Sequence, residues 1–139
     1  MDDRNPKMVE LDAPRPLKWD ERALLDFLLD HPIARDELRA QAERAEVVSE
    51  CDCGCRSVGL EPHAAAPSAR YTAEDSVYGR DDYIGIRARG RSEAGTEIEV
   101  TLHVVHGRMA ELEIWDGAQT GGRSRGELPE LDSLYQAEQ

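Results

Sequence analysis

Between Tyr83 and Trp115 the chain carries three runs in which apolar and polar residues alternate: Ile84, Ile86 and Ala88; Ile98, Val100, Leu102 and Val104; Ala110, Leu112 and Ile114. Successive side chains of an extended strand point to opposite faces, so a period of two specifies a sheet with one buried face and one wet face. We read these runs as three antiparallel strands, the last two joined by a hairpin turn at His106-Gly107. Keeping all apolar sets on one face restricts the register, because a slip of one residue turns every buried side chain outward. The register expected sets Ala88 opposite Ile98, Ile86 opposite Val100, Val104 opposite Ala110 and Leu102 opposite Leu112. On the other face it brings Arg89 to Glu97, Arg87 to Glu99 and His103 to Glu111, pairs of the kind that stabilise neighbouring strands.

Upstream the period changes. Leu24, Leu25, Phe27, Leu28 and Leu29 recur at the spacings of one helical stripe, which predicts a first helix over Asp20 to Asp30. His31-Pro32 ends it, since proline disfavours helical geometry in the residue before it, and a second helix is expected over Ile33 to Ala45. Val47, Val48, Val58 and Leu60 then flank Cys51-Asp52-Cys53-Gly54-Cys55 as the arms of a hairpin turning at Cys53-Gly54. Residues 61–81 read as a long surface connection, a length that in a small domain often signals function. Leu128, Leu131, Leu134 and Tyr135 suggest a short C-terminal helix after Gly126. The expected fold is α+β: two N-terminal helices on one face of a mainly antiparallel sheet of about five strands. The proline-rich segment 1–18 is expected to be a flexible arm, and 19–139 a single domain.

The 29 acidic and 17 basic residues leave a net charge of −12, which repels phosphate backbones and points away from nucleic acid. A charged partner is therefore expected to be basic. No apolar run approaches the roughly 18 residues of a membrane span, and a cytoplasmic location is expected.

Three thiols within five residues, Cys51, Cys53 and Cys55, are the one cluster with metal-ligand chemistry. They suit a soft or borderline ion such as zinc or copper(I), although structural zinc normally takes a fourth ligand, here His63, His103, His106 or water. Such thiols also suit redox sensing, and small buried cysteines also serve simply as core residues. His103 facing Glu111 is a candidate acid/base pair that requires a concave pocket. Gly117, Gly121 and Gly122 with Arg123 and Arg125 match no phosphate-binding spacing, and the common nucleophile, zinc-protease and nucleotide motifs are absent. No catalytic residue is assigned and enzyme activity is not expected. Glu97, Glu99, Glu111, Glu113 and Trp115 mark the outer sheet face as a candidate partner-binding surface.

Glu-Leu-Arg-Ala-Gln (37–41), Cys-Asp-Cys-Gly-Cys-Arg-Ser (51–57) and the run Leu-His-Val-Val-His-Gly-Arg-Met-Ala-Glu-Leu-Glu-Ile-Trp (102–115), together with the leucine-rich first helix, resemble a group of small uncharacterised bacterial proteins, largely actinobacterial. The resemblance spans residues 19–116 and implies the same single-domain architecture, with no activity and no site residue attached. The expected function is a non-enzymatic, immunity-type or regulatory protein-interaction domain without a cofactor. The alternative is a metal-binding, most simply zinc-binding, or redox-sensing module at the three cysteines.

Overall fold

A computed structural model describes residues 8–117 and 124–137. Seven strands form one antiparallel sheet: β1 (Met8–Pro16), β2 (Glu46–Cys51), β3 (Val58–Glu61), β4 (Tyr83–Arg91), β5 (Glu97–Val105), β6 (Arg108–Trp115) and β7 (Tyr135–Gln136), in the spatial order β1-β2-β3-β6-β5-β4-β7. Helices α1 (Trp19–Leu29) and α2 (Asp36–Ala42) lie between β1 and β2 in the chain. One apolar cluster joins Leu24, Leu25, Leu28 and Leu38 of the helices to Ile84, Ile86, Ile98, Leu102 and Leu112 of the sheet. No described helix is long and apolar enough to cross a membrane.

The sheet has seven strands, not about five, and the helices are not its N-terminal elements. From Met8 to Pro16 the expected flexible arm is an edge strand pairing with β2; residues 1–7 lie outside the described residues. Its side chains are mostly exposed, so it carries no buried alternation to read, and an edge strand tolerates Pro14 and Pro16. Arg15 fixes it to α1: both terminal guanidinium nitrogens donate to the Glu21 carboxylate at 2.9 Å, and Nη2 also reaches Glu50. Glu21, in the third position of α1, also accepts the Lys18 amide at 2.7 Å, satisfying a donor at the helix start. The two helices cap one another: Arg39 Nε donates to the Leu29 carbonyl and Arg22 Nη1 to the Ala42 carbonyl.

The second helix covers Asp36–Ala42, shorter than Ile33 to Ala45, because a turn in which the Ala34 amide donates to the His31 carbonyl takes up its expected start. The β4–β5 register is two residues from the expected one. Ala88 pairs with Val100 and Ile86 with Leu102; Arg89 faces Glu99, Arg87 faces Thr101 and Arg91 faces Glu97. A shift of two preserves the faces and still matches opposite charges, so neither criterion separates the two registers. The turn does: the Ser92 amide donates to the Thr96 carbonyl and Gly95 takes the left-handed conformation at φ +87°.

Between β5 and β6 Leu102 does face Leu112 and His103 faces Glu111, but Val104 faces Met109, not Ala110. His106 (φ 52°) and Gly107 (φ 77°) form a two-residue turn with both centres left-handed. That turn pairs Val105 with Arg108, and a bulge at the register shift absorbs the extra residue. The C-terminal segment forms no helix: Leu131–Ser133 is a single 3₁₀ turn leading into β7, which pairs with β4.

The connection 61–81 is pinned, not loose. Gln41, fully buried, donates to the Pro67 and Gly107 carbonyls and accepts the Met109 amide. Arg108 donates to the carbonyls of His63 and Ala66, and Tyr71 donates to the Ile33 carbonyl. These anchors swing residues 75–78 over the outer face of the sheet, beside Tyr83, Thr101 and His103.

Candidate functional site

The β2–β3 hairpin turns at Asp52 to Gly54, and Gly54 takes the left-handed conformation at φ +94°. The turn is short enough to bring all three sulfurs within 4.8 Å of one another. The Cys51 thiol donates to Cys53 Sγ at 3.1 Å, and the Cys55 amide donates to the same sulfur at 3.3 Å. Burial and the contact with Cys53 push the Cys51 thiol up to about 12, and burial raises Cys55. Burial also works against ionisation of Cys53, but hydrogen bonds from Cys55 and Cys51 outweigh it and hold Cys53 below the ordinary thiol value. Hydrogen bonds from both neighbours thus converge on the Cys53 sulfur. An ion pair from Arg56 to Asp20 at 3.1 Å ties the turn to the start of α1. The backbone of Ser124 to Gly126 closes over Gly54, where an added side chain at Gly126 would meet the Gly54 carbonyl.

A second cluster lies on the outer face. His103 on β5 and Glu111 and Glu113 on β6 hold donor atoms within 4.8 Å of one another. His103 hydrogen-bonds not to Glu111, its partner across the ladder, but to Glu113 on the diagonal, at 2.7 Å from Nε2. Its Nδ1 meets the Tyr83 hydroxyl at 2.5 Å. Burial holds the Glu111 carboxyl above its ordinary value, and His103 holds Glu113 below its own. A cleft of about 140 Å³ opens beside His103 and Glu113, walled by Tyr78, Tyr83, Thr101 and the segment 75–77. The concavity that an acid/base pair at His103 requires is therefore present, with Glu113 and Tyr83 as partners that the alternation of β5 and β6 did not disclose.

The rest of the candidate surface is more internally paired than its charge suggests. Glu99 bonds Arg89 at 3.2 Å, Glu97 lies 3.5 Å from Arg91, and Trp115 is exposed opposite Glu99. His63 and His106 do not join the cysteines in any group of ligand atoms among the described residues. Of the glycine and arginine loop, Gly121, Gly122 and Arg123 lie outside the described residues; Arg125 donates its amide to Asp116.

Fold and sites together define a small α+β protein with, among the described residues, two side-chain clusters of metal-ligand chemistry, one of sulfur and one of nitrogen and oxygen. Comparisons of the chain with protein families, with curated proteins and with solved structures found no match in any of the three.

Proposed function

We propose that the chain is a thiophilic metal-binding module whose ligands are Cys51, Cys53 and Cys55. The observation that carries this reading is the convergence of three sulfurs on one turn, with Cys51 and Cys55 both donating hydrogen bonds to the Cys53 sulfur. A metal–sulfur bond of about 2.3 Å places tetrahedral ligand sulfurs roughly 3.8 Å apart, so the 3.1 Å contact between Cys51 and Cys53 needs to open only slightly. No fourth histidine, aspartate or glutamate atom joins the group among the described residues. Three thiolates without a fourth protein donor suit three-coordinate copper(I); zinc in the same place would keep a water in its fourth position.

Elemental analysis and anaerobic copper(I) titration of the purified chain test this. One ion per chain, with sulfur-to-copper charge-transfer absorption that disappears in Cys53→Ser, is the expected result. Absence of stoichiometric copper or zinc, with thiols that titrate as ordinary free cysteines, overturns it.

A redox role is the second reading, favoured by the same 3.1 Å contact. A disulfide oxidant would take the electron pair as Cys51 and Cys53 lose their protons and join, leaving no three-sulfur site. Mass spectrometry after treatment with oxidised glutathione detects the loss of one H₂. Docking of a basic protein on the outer face has less support, because Glu97, Glu99 and Glu113 already have cationic or hydrogen-bonding partners that an incoming protein would displace.

A further inference from the structure

We propose that His103, Glu111 and Glu113 form a second cation site, independent of the cysteines, for a divalent ion of the Mn²⁺ or Fe²⁺ kind with open coordination positions toward the neighbouring cleft. One imidazole and two carboxylates are a donor set that such ions accept and that copper(I), which prefers thiolate and thioether sulfur, does not select. Three features of the fold assemble it.

The first is the ladder. β5 and β6 place Glu111 directly opposite His103, while Glu113, two residues on, reaches back to Nε2 along the diagonal. Bonds of about 2.1 Å to nitrogen and oxygen put adjacent donors about 3 Å apart. The 2.7 Å between Nε2 and Glu113 is already near that spacing, and the whole group lies within 4.8 Å. Without a cation this arrangement holds two half-buried carboxylates near one another beside a single imidazole.

The second is the support behind the histidine. A metal-bound imidazole needs its other nitrogen held by a hydrogen-bonding group, and here Nδ1 meets Tyr83 Oη. Neutral His103 that donates its Nε2 proton to Glu113 accepts the Tyr83 hydroxyl proton at Nδ1. On metal binding the Nε2 lone pair turns to the ion, the ring proton sits on Nδ1 and is donated to the phenol oxygen, and the hydroxyl proton rotates away. Imidazole and phenol both stay neutral, and no proton need leave the protein.

The third is Gly85, the residue across from His103 on β4. A side chain there would begin 2.9 Å from Tyr83 Oη. Glycine weakens a strand interior, and its bare surface here lets the Tyr83 ring lie across β4 to reach the imidazole. The cleft beside the cluster, about 140 Å³ and walled by Tyr78 and residues 75–77, leaves room for water or a small oxygen ligand in the open positions.

Mn²⁺ is the probe, because thiolates do not compete for it; loss of the free-ion electron paramagnetic resonance signal reports binding. The full chain is expected to bind one Mn²⁺, and Cys53→Ser to bind it equally well, which separates this site from the sulfur site. His103→Gln and Glu113→Gln should each abolish binding, and Tyr83→Phe, which removes one oxygen and leaves the strand intact, should weaken it about 10- to 100-fold. Glu97→Gln, on the same face but outside the cluster, should leave it unchanged. An undiminished free-ion signal with the wild-type chain, equal binding by wild type and His103→Gln, or an equal loss in Glu97→Gln overturns the proposal.

Discussion

Gln41 shows how one polar side chain can decide where a long connection runs. It lies on α2 with no exposed surface, and its amide takes three backbone partners: the carbonyls of Pro67 and Gly107 and the amide of Met109. Buried polar groups left without partners cost more than a hydrogen bond contributes, so truncation here is felt three times. Gln41→Ala is expected to destabilise the protein by about 3 kcal/mol, read as a lower urea midpoint, and to release residues 63–69 to amide exchange ahead of the sheet. Nothing in the local pattern marks this glutamine as buried, since helical spacing places it next to Leu38 and Ala42 without saying that a loop returns to meet it. His103 is similar. Its strand position disclosed Glu111 as a neighbour, but the bond to Glu113 depends on side-chain reach along a diagonal, and Tyr83 on the absence of a side chain at Gly85.

Among the elements, β1 has no buried residue yet a specific attachment. Beyond its ladder with β2 it is held by the bidentate grip of Arg15 on Glu21. Burial pushes the Glu21 carboxyl up, but the Arg15 hydrogen bonds and the Lys18 amide more than offset this, and the group sits below its ordinary 4.5. A carboxylate depressed in the folded state contributes stability that is complete above its unfolded value and disappears as pH falls through the folded one. β1 should therefore loosen on the acid side of 4.5 before the central strands do, with those β1 amides that bond β2 losing exchange protection while those of Val100 and Leu102 keep theirs. Glu21→Gln should remove that pH dependence; an unchanged acid profile in the variant would show that the pair does not hold the strand. The sequence hid β1 because an exposed edge strand shows no alternation, and it hid β7 because two residues are too short for any period. The β5–β6 bulge was hidden for another reason: a two-residue turn fixes Val105 opposite Arg108, and the mismatch with the inner pairs appears only when both constraints act on one strand.

At the scale of the molecule, one apolar cluster connects both helices to strands from each half of the sheet. Leu25 has no exposed surface and sits in that cluster, so Leu25→Ala should cost about 2–5 kcal/mol. The loss should appear in chemical denaturation as a lower midpoint with an unchanged slope, because a cavity alters stability and not the surface exposed on unfolding. Alternation determined the facing of β4, β5 and the Leu112–Ile114 part of β6, the leucine stripe determined α1, and the cysteine spacing determined that three sulfurs fall on one turn; each is a matter of side-chain period or chain length, which neighbours in sequence carry by themselves, whereas the bulge turned Met109 inward in place of Ala110. The two-residue choice of register, the pairing of β3 with β6, the order of seven strands and the meeting of Tyr83 with His103 and Glu113 were decided only in three dimensions. Period-two patterns are unchanged by a shift of two, and contacts between segments far apart in the chain depend on turns, bulges and backbone room that no single segment contains.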